Sequence, residues 1–212
     1  MQFPITVKVC GITREADADI ALTLGARYLG INLYQPSPRS VSPERAAELC
    51  RHLPAGSRVL VDVSPSTETL ERYRDLGFDY FQLHCDPDTS LGVLAAWSGL
   101  VGAERLWIAP RLPAGEPFPV MLLAFAHTLV IDGYHPGSYG GTGKTSDWGA
   151  FRQLQSTHLD HTWVLAGGLS PAIIQRAIQE SQARFVDVNS GVESAPGLKD
   201  ADLLRALFEA IA

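Results

Sequence analysis

A chain of 212 residues with 17 lysines and arginines against 23 aspartates and glutamates, a formal net charge of −6, lacks the clustered positive charge that nucleic acid or an anionic membrane surface attracts. Charged residues make up 19% and hydrophobic ones 46%, the balance of a globular protein with a sizeable core and not of a disordered one. The three cysteines, Cys10, Cys50 and Cys85, lie far apart, which rules out a disulfide framework and any metal-ligand spacing between them. The opening MQFPITVKVC has neither the basic start nor the cleavage site of a signal peptide, and no apolar run is long enough to span a bilayer. The expected location is cytoplasmic.

From residue 5 onward, short β-branched runs alternate with amphipathic stretches. ITVKVC predicts a strand ending at Cys10, and READADIALTLGA predicts a helix opened by Thr13 and closed at Gly25. YLGINL is the second strand; after the loop YQPSPRSVSPE, Ser42 and Pro43 open the helix SPERAAELCRHL. RVLVDV and STETLERYRDLG, closed at Gly77, make the third unit. DYFQLH is the fourth strand, followed by DTSLGVLAAWSG, which reads as a short helix. RLWIAP is the fifth, followed by a Pro/Gly-rich loop over 110–119 and a second short helix in PFPVMLLAFAH. LVIDG, TWVLAG and FVDVNS complete the strands, with SPAIIQRAIQE predicted as a helix behind Ser170 and Pro171. Eight strand–helix units without a linker or a low-complexity tract predict an α/β fold, a single-domain (β/α)8 TIM barrel over residues 1–212. An open doubly wound sheet is the alternative.

Side chains alternate along a strand, so each barrel strand has an inner and an outer face. Ile5, Val7 and Val9 belong outside, which sends Thr6, Lys8 and Cys10 inward. The same parity puts Gln82 and His84 of the fourth strand, Asp132 at the end of the sixth, and Asp187 and Asn189 of the eighth inside. Barrel enzymes build their sites at the C-terminal ends of the strands, where these polar groups cluster. Closure makes the eighth strand the neighbour of the first, so Lys8 and Asp187 either pair structurally or act on a substrate directly. Cys10 stands two residues beyond Lys8 on the same face, where an ammonium favours the thiolate as base or nucleophile. Cys50, in a helix, and Cys85, facing outward, read as packing. Asp132 is recessed enough to act as an acid, and His84 competes as a general base on chemistry alone. Arg39, in a loop stiffened by prolines, suits a carboxylate or phosphate.

Glycine-rich turns follow the last three strands: GGTG at 140–143 with Gly141 and Gly143, AGGLSP with Gly167 and Gly168, and NSGVESAPG with Ser190 and Gly191. Such loops beside helix N-termini are the usual phosphate cradle of this fold, and their grouping points to a phosphorylated substrate. GGTGKT is no nucleotide loop, because position 138 is serine where that motif needs glycine.

In this order, KVCGIT, PSPRSVSP, QLH, GGTGKTSDW, LAGGLSP and VDVNSGVESAPGLKD resemble phosphoribosylanthranilate isomerase of tryptophan biosynthesis, over Lys8 to Asp200. The resemblance implies the Amadori rearrangement of N-(5-phosphoribosyl)anthranilate to 1-(o-carboxyphenylamino)-1-deoxyribulose 5-phosphate, with no cofactor and no metal. It implies Cys10 as general base and Asp132 as general acid. Arg39 would meet the anthranilate carboxylate; Gln82, His84 and Asp187 would line the site; amides near Gly167, Gly168, Ser190 and Gly191 would hold the phosphate. The partner is then a small-molecule phosphosugar, with no nucleic acid or membrane involved, and the chain a monomer or homodimer. The chain departs from the family pattern at Cys85 and Asp86 after QLH, at VDVSPS in the third strand, at Ala109–Pro110 and at Asn189. Two other readings compete: a histidine-pathway aminoaldose isomerase, which would need an aspartate where Cys10 stands, and a phosphosugar-binding barrel without turnover.

Overall fold

The computed structural model describes residues 4–113, 116–133 and 147–212. Eight parallel strands close into a barrel in chain order: β1 (Thr6–Val9), β2 (Tyr28–Asn32), β3 (Arg58–Val63), β4 (Tyr80–Cys85), β5 (Leu106–Pro110), β6 (Thr128–Ile131), β7 (Thr162–Leu165) and β8 (Phe185–Val188). Closure is made by β8 against β1, in register from Thr6 with Phe185 to Val9 with Val188. The barrel, not the open sheet, is the fold.

Helices α1 (Glu15–Leu24), α2 (Pro43–His52), α3 (Thr67–Arg74), α4 (Leu91–Val101), α5 (Trp148–Thr157), α6 (Ile174–Ser181) and α7 (Ala201–Ile211) cover the outside. Their ends follow the expected signals in part. Ser42 accepts from the Arg45 amide at the start of α2, and Gly25 closes α1 with φ of 108°. Thr13 does not cap α1: Arg14 holds that position without a side-chain bond, and the Thr13 hydroxyl donates to the Gly197 carbonyl at 2.7 Å. Helix α4 is not short; Ser90 caps it and it runs for 11 residues, because its two glycines cost less than its buried face gains. The segment before β6 is only a 3-10 turn, Val120–Ala124, entered from Pro119. Behind Ser170 and Pro171 the helix proper starts late, at Ile174, after a turn whose amides at Ile173 and Ile174 bond back to the Ser170 carbonyl.

The alternation of side chains builds two separate apolar layers. Val7, Val9, Leu29, Ile31, Leu83, Leu129 and Val186 face the helices in the outer core. Inside, Val59, Trp107, Val130, Val164 and Phe185 pack with Tyr28 and Tyr80. Tyr28, Tyr80 and Phe185 are the first residues of their strands, so this aromatic plug fills the N-terminal half of the barrel. Tyr28 stacks on Phe185 at 5.3 Å and meets Trp107 edge-on at 5.1 Å, geometries favoured by ring quadrupoles. Above the plug the interior turns polar.

Glycine 30, in mid-strand, is required by that transition. A Cβ there would lie 2.9 Å from Cys10 Sγ and 3.0 Å from Lys8 Nζ. Gly30→Ala is expected to lower stability by about 1–3 kcal/mol through overpacking, whereas Gly99→Ala in α4, with nothing within 4 Å of the new methyl, should raise it by up to about 1 kcal/mol. Urea denaturation of the two variants side by side checks the contrast.

Candidate active site

The polar floor of the site is one buried ion pair. Lys8 Nζ lies 2.8 Å from Asp187 Oδ2, with the lysine side chain fully buried and the aspartate nearly so. The in-register pairing of Lys8 with Asp187 across β1 and β8 puts both groups on the inner face. Of the two expected roles, the pairing is what the structure shows. Asp187 Oδ1 is buried and has no hydrogen-bond partner among the described residues, and the same is true of Gln82 Oε1. Two unsatisfied acceptors next to one cavity mark a place where a ligand or water donates.

That cavity opens at the C-terminal ends of the strands. It is lined by Cys10, Asn32, Gln82, His84, Asp132, Gly167, Gly168, Asp187, Asn189 and Ser190, among others. Strand parity had put all of the titratable groups here on the inner face. Asn32, at the end of β2, is a lining residue that sequence reasoning missed; its period-2 spacing from Tyr28 and Gly30 was the available signal.

Proton affinities follow from burial and from the charges of Lys8, Asp187 and Lys199. Burial raises the Cys10 thiol above its ordinary value, against the pull of Lys8, while the charge of Asp187 adds to the rise. Asp132 is pushed up to about 7, first by burial and then by the charge of Asp187, opposed by the Gly133 amide and Lys8. Asp187 is also raised by burial, against Lys8. Burial works to strip Lys8 of its proton, but Asp187 and then Cys10 hold it on, and its affinity ends above the ordinary lysine value. His84 drops to about 4, because burial and the nearby Lys8 both disfavour the imidazolium, so it is neutral at pH 7. Its Nε2 lies 3.2 Å from Gln82 Nε2, an orientation that has the amide donating to the ring.

Two loops close over this floor. Gly167 and Gly168, after β7, both have positive φ (92° and 63°), and a Cβ at Gly167 would sit 2.4 Å from the Gly133 amide nitrogen. At Gly191, after β8, a Cβ would lie 2.0 Å from the Leu169 carbonyl oxygen, so the β7 and β8 loops touch through glycine. Gly141 and Gly143 lie outside the described residues.

Arg39 is not a solvated loop side chain. Its Nε lies 3.0 and 3.1 Å from the two carboxylate oxygens of Glu193, and its Nη2 2.7 Å from Oε2. Glu193 Oε1 also accepts from Lys199 Nζ at 2.8 Å and from the Gly197 amide at 3.2 Å. Glu193 and Lys199 come from a small hairpin, β9 (Glu193–Ala195) and β10 (Leu198–Lys199), and sequence reasoning assigned neither a role. The available signals were their place in the motif VDVNSGVESAPGLKD and the two opposite charges flanking its Ala-Pro-Gly turn.

A parallel eight-stranded barrel with a thiol and a proton-holding carboxyl on one cavity at the C-terminal strand ends defines an acid–base enzyme of the (β/α)8 class. Residues 7–210 match the family model for N-(5'-phosphoribosyl)anthranilate (PRA) isomerase, and the chain belongs to that family. It is 38% identical to the N-(5'-phosphoribosyl)anthranilate isomerase of Paramagnetospirillum magneticum, over 98% of this chain and 97% of that protein. Among solved structures it is similar to monomers generated from the dimeric phosphoribosylanthranilate isomerase of Thermotoga maritima, with TM-score 0.79, 26% identity and 98% of each chain covered. It is also similar to a phosphoribosylanthranilate isomerase in complex with reduced 1-(o-carboxyphenylamino)-1-deoxyribulose 5-phosphate, with TM-score 0.76, 25% identity and 98% of each chain covered. Among the described residues no helix is long and apolar enough to cross a membrane.

The raised proton affinity of Asp132 is also a statement about stability. The folded protein keeps a proton that the unfolded chain releases between about pH 4 and pH 7, so this group's contribution falls across that window and its cost is complete above it. Asp132→Asn should therefore be more stable than the wild type at pH 8, by on the order of 2–4 kcal/mol. The difference should close below pH 4; urea unfolding at several pH values reads it.

Proposed function

We infer that the chain carries out its family's isomerisation with Cys10 as general base and Asp132 as general acid. It is an aldose–ketose isomerase of tryptophan biosynthesis, converting N-(5-phosphoribosyl)anthranilate to 1-(o-carboxyphenylamino)-1-deoxyribulose 5-phosphate. The observation that carries the reading is that Cys10, ending β1, and Asp132, ending β6, line one cavity from strands three places apart around the barrel. A sugar between them is reached from two sides.

In this mechanism Asp132 gives its proton to the ribose ring oxygen as the C1′–O bond breaks, which opens the sugar to a Schiff base with the anthranilate nitrogen. The Cys10 thiolate then takes the C2′ proton; the electrons shift toward nitrogen, and the resulting enolamine tautomerises to the ketone. The sequence needs one acid and one base of different proton affinity and no cofactor. Lys8 Nζ beside Cys10 supports the thiolate when it forms. His84, neutral and of depressed basicity, is a weaker base than that thiolate and acts with Gln82 and Asp187 on substrate hydroxyls. Arg39 binds the anthranilate carboxylate. The touching loops around Gly167, Gly168, Ser190 and Gly191, with Gly141 and Gly143 of the undescribed segment, bind the phosphate. The chain works as one domain, in the cytoplasm, as a monomer or homodimer.

Two outcomes test the assignment. Cys10→Ala and Asp132→Asn should each lower kcat by about 10²–10⁴ while retaining the circular dichroism of the folded barrel, measured by loss of substrate fluorescence. Cys10 holds its proton more tightly than Asp132, so the active form, with thiolate and protonated carboxyl, is the minor tautomer of the singly protonated pair. The wild-type kcat/KM should then rise with pH through about 7, level off and fall at higher pH. In Asp132→Asn the limb near 7 should be absent, and the residual activity should keep climbing into the thiol range.

A further inference from the structure

Outside the acid–base centre, the described residues hold one other buried charge cluster at the mouth, and the site as described so far uses only one of its members. Arg39, Glu193 and Lys199 have side chains 11%, 4% and 1% exposed. Two cations share one carboxylate, which leaves the cluster one positive charge in excess. The remaining bonds of Lys199 Nζ go to neutral acceptors, the carbonyl oxygen and Oδ1 of Asn189 at 3.2 and 2.9 Å.

The way the guanidinium is held decides what it can still do. Glu193 occupies its side-on edge, formed by Nε and Nη2. The end-on edge, Nη1 with the second hydrogen of Nη2, makes no hydrogen bond among the described residues. A guanidinium presents two forked edges, and either one can take a carboxylate in bidentate fashion. The stem crosses the glycine next to Cys10: a Cβ at Gly11 would lie 2.9 Å from Arg39 Cδ and 2.7 Å from Asn189 Oδ1, and Asn189 itself lines the cavity. Arg39 is thus fastened from behind at the rim of the site.

We propose that Glu193 and Lys199 are positioning residues for substrate: Glu193 clamps Arg39 by one edge, and Lys199 balances the charge of Glu193 so that Arg39 keeps its own for the aromatic carboxylate. This rests on Arg39 meeting that carboxylate. Burial works to raise the Glu193 carboxyl, but Arg39 and Lys199 hold it below its ordinary value and so ionised. Without Lys199 the clamp would neutralise the arginine it holds. Without Glu193 the arginine would keep its charge and lose its fixed orientation.

The test compares two probes: reduced 1-(o-carboxyphenylamino)-1-deoxyribulose 5-phosphate and the same compound without its ring carboxylate. Dissociation constants are measured by calorimetry for the wild type, Glu193→Gln, Lys199→Gln and Arg39→Gln. The wild type should prefer the carboxylated probe by about 100-fold or more, and Arg39→Gln should abolish the preference. Glu193→Gln and Lys199→Gln should each cut the preference about tenfold, raise KM more than they lower kcat, and leave the affinity for the other probe unchanged. Glu193→Asp, which keeps the charge, should recover part of the loss, and should Glu193→Gln fail to fold, Lys199→Gln and Glu193→Asp carry the test. An unchanged preference in the Glu193 and Lys199 variants overturns the proposal, as does an equal loss for both probes, which is the mark of a merely structural role. A preference that survives Arg39→Gln instead sinks the placement of the carboxylate at Arg39, and the proposal with it.

Discussion

The buried ion pair of Lys8 Nζ with Asp187, at 2.8 Å, is the interaction that sets the electrostatics of the cavity at the C-terminal strand ends. Taking an isolated lysine out of water would cost several kcal/mol, so a paired carboxylate is the condition for having it there at all. The pair spans the closure of the barrel between β8 and β1, so the fold itself brings the partners together. Once Lys8 is committed to Asp187, a second buried carboxyl has no cation of its own among the described residues. Asp132 then keeps its proton to about pH 7, which is what an acid at physiological pH must do. Cys10, beside the same ammonium, is likewise kept as a thiol by burial, a rise that Lys8 and Lys199 offset only in part.

This arrangement needs a dry, unyielding floor. The ring contacts among Tyr28, Tyr80, Trp107 and Phe185 supply it and shut the N-terminal half of the barrel against solvent. Packing and polar groups are thereby stacked along the barrel axis, with the aromatic plug below and the titratable cavity lining above. Gly30 marks the seam: any side chain there would displace both the ammonium and the thiol.

Much of this was legible in the sequence because it depends on two short-range periodicities. Period-2 alternation located the inner face of β1, β4 and β8 residue by residue, and barrel closure then paired Lys8 with Asp187. What escaped depends on tertiary context. The length of α4 is set by a buried face centred on Leu94 and Trp97 that outweighs its glycines, and no local signal reports that. Thr13 looked like a helix cap, yet its hydroxyl is taken by Gly197, 184 residues away. Arg39 reads as an anion-suited side chain stiffened by prolines, but its Glu193 partner is 154 positions distant, and nothing local links the two. Proton affinities belong to the same class, since the value at Asp132 arises from burial and from a charge on another strand.

The two charge clusters divide the work by their net charge. Lys8 and Asp187 cancel, so the inner cluster carries no net charge, and Asp132 beside it is pushed up to about 7. Arg39, Lys199 and Glu193 do not cancel; their surplus positive charge suits an anion that must be bound but not transformed. Merging the two would defeat both. A surplus cation beside Asp132 would pull its proton affinity back toward the ordinary carboxylate range and leave it ionised at neutral pH. A neutralised guanidinium at the rim would bind an aromatic carboxylate no better than water does. The two meet at Gly11 and the Asn189 side chain, which Lys199 ties down at the rim of the cavity, and from there the charge of Lys199 still reaches Cys10 and Asp187 and favours their ionised forms.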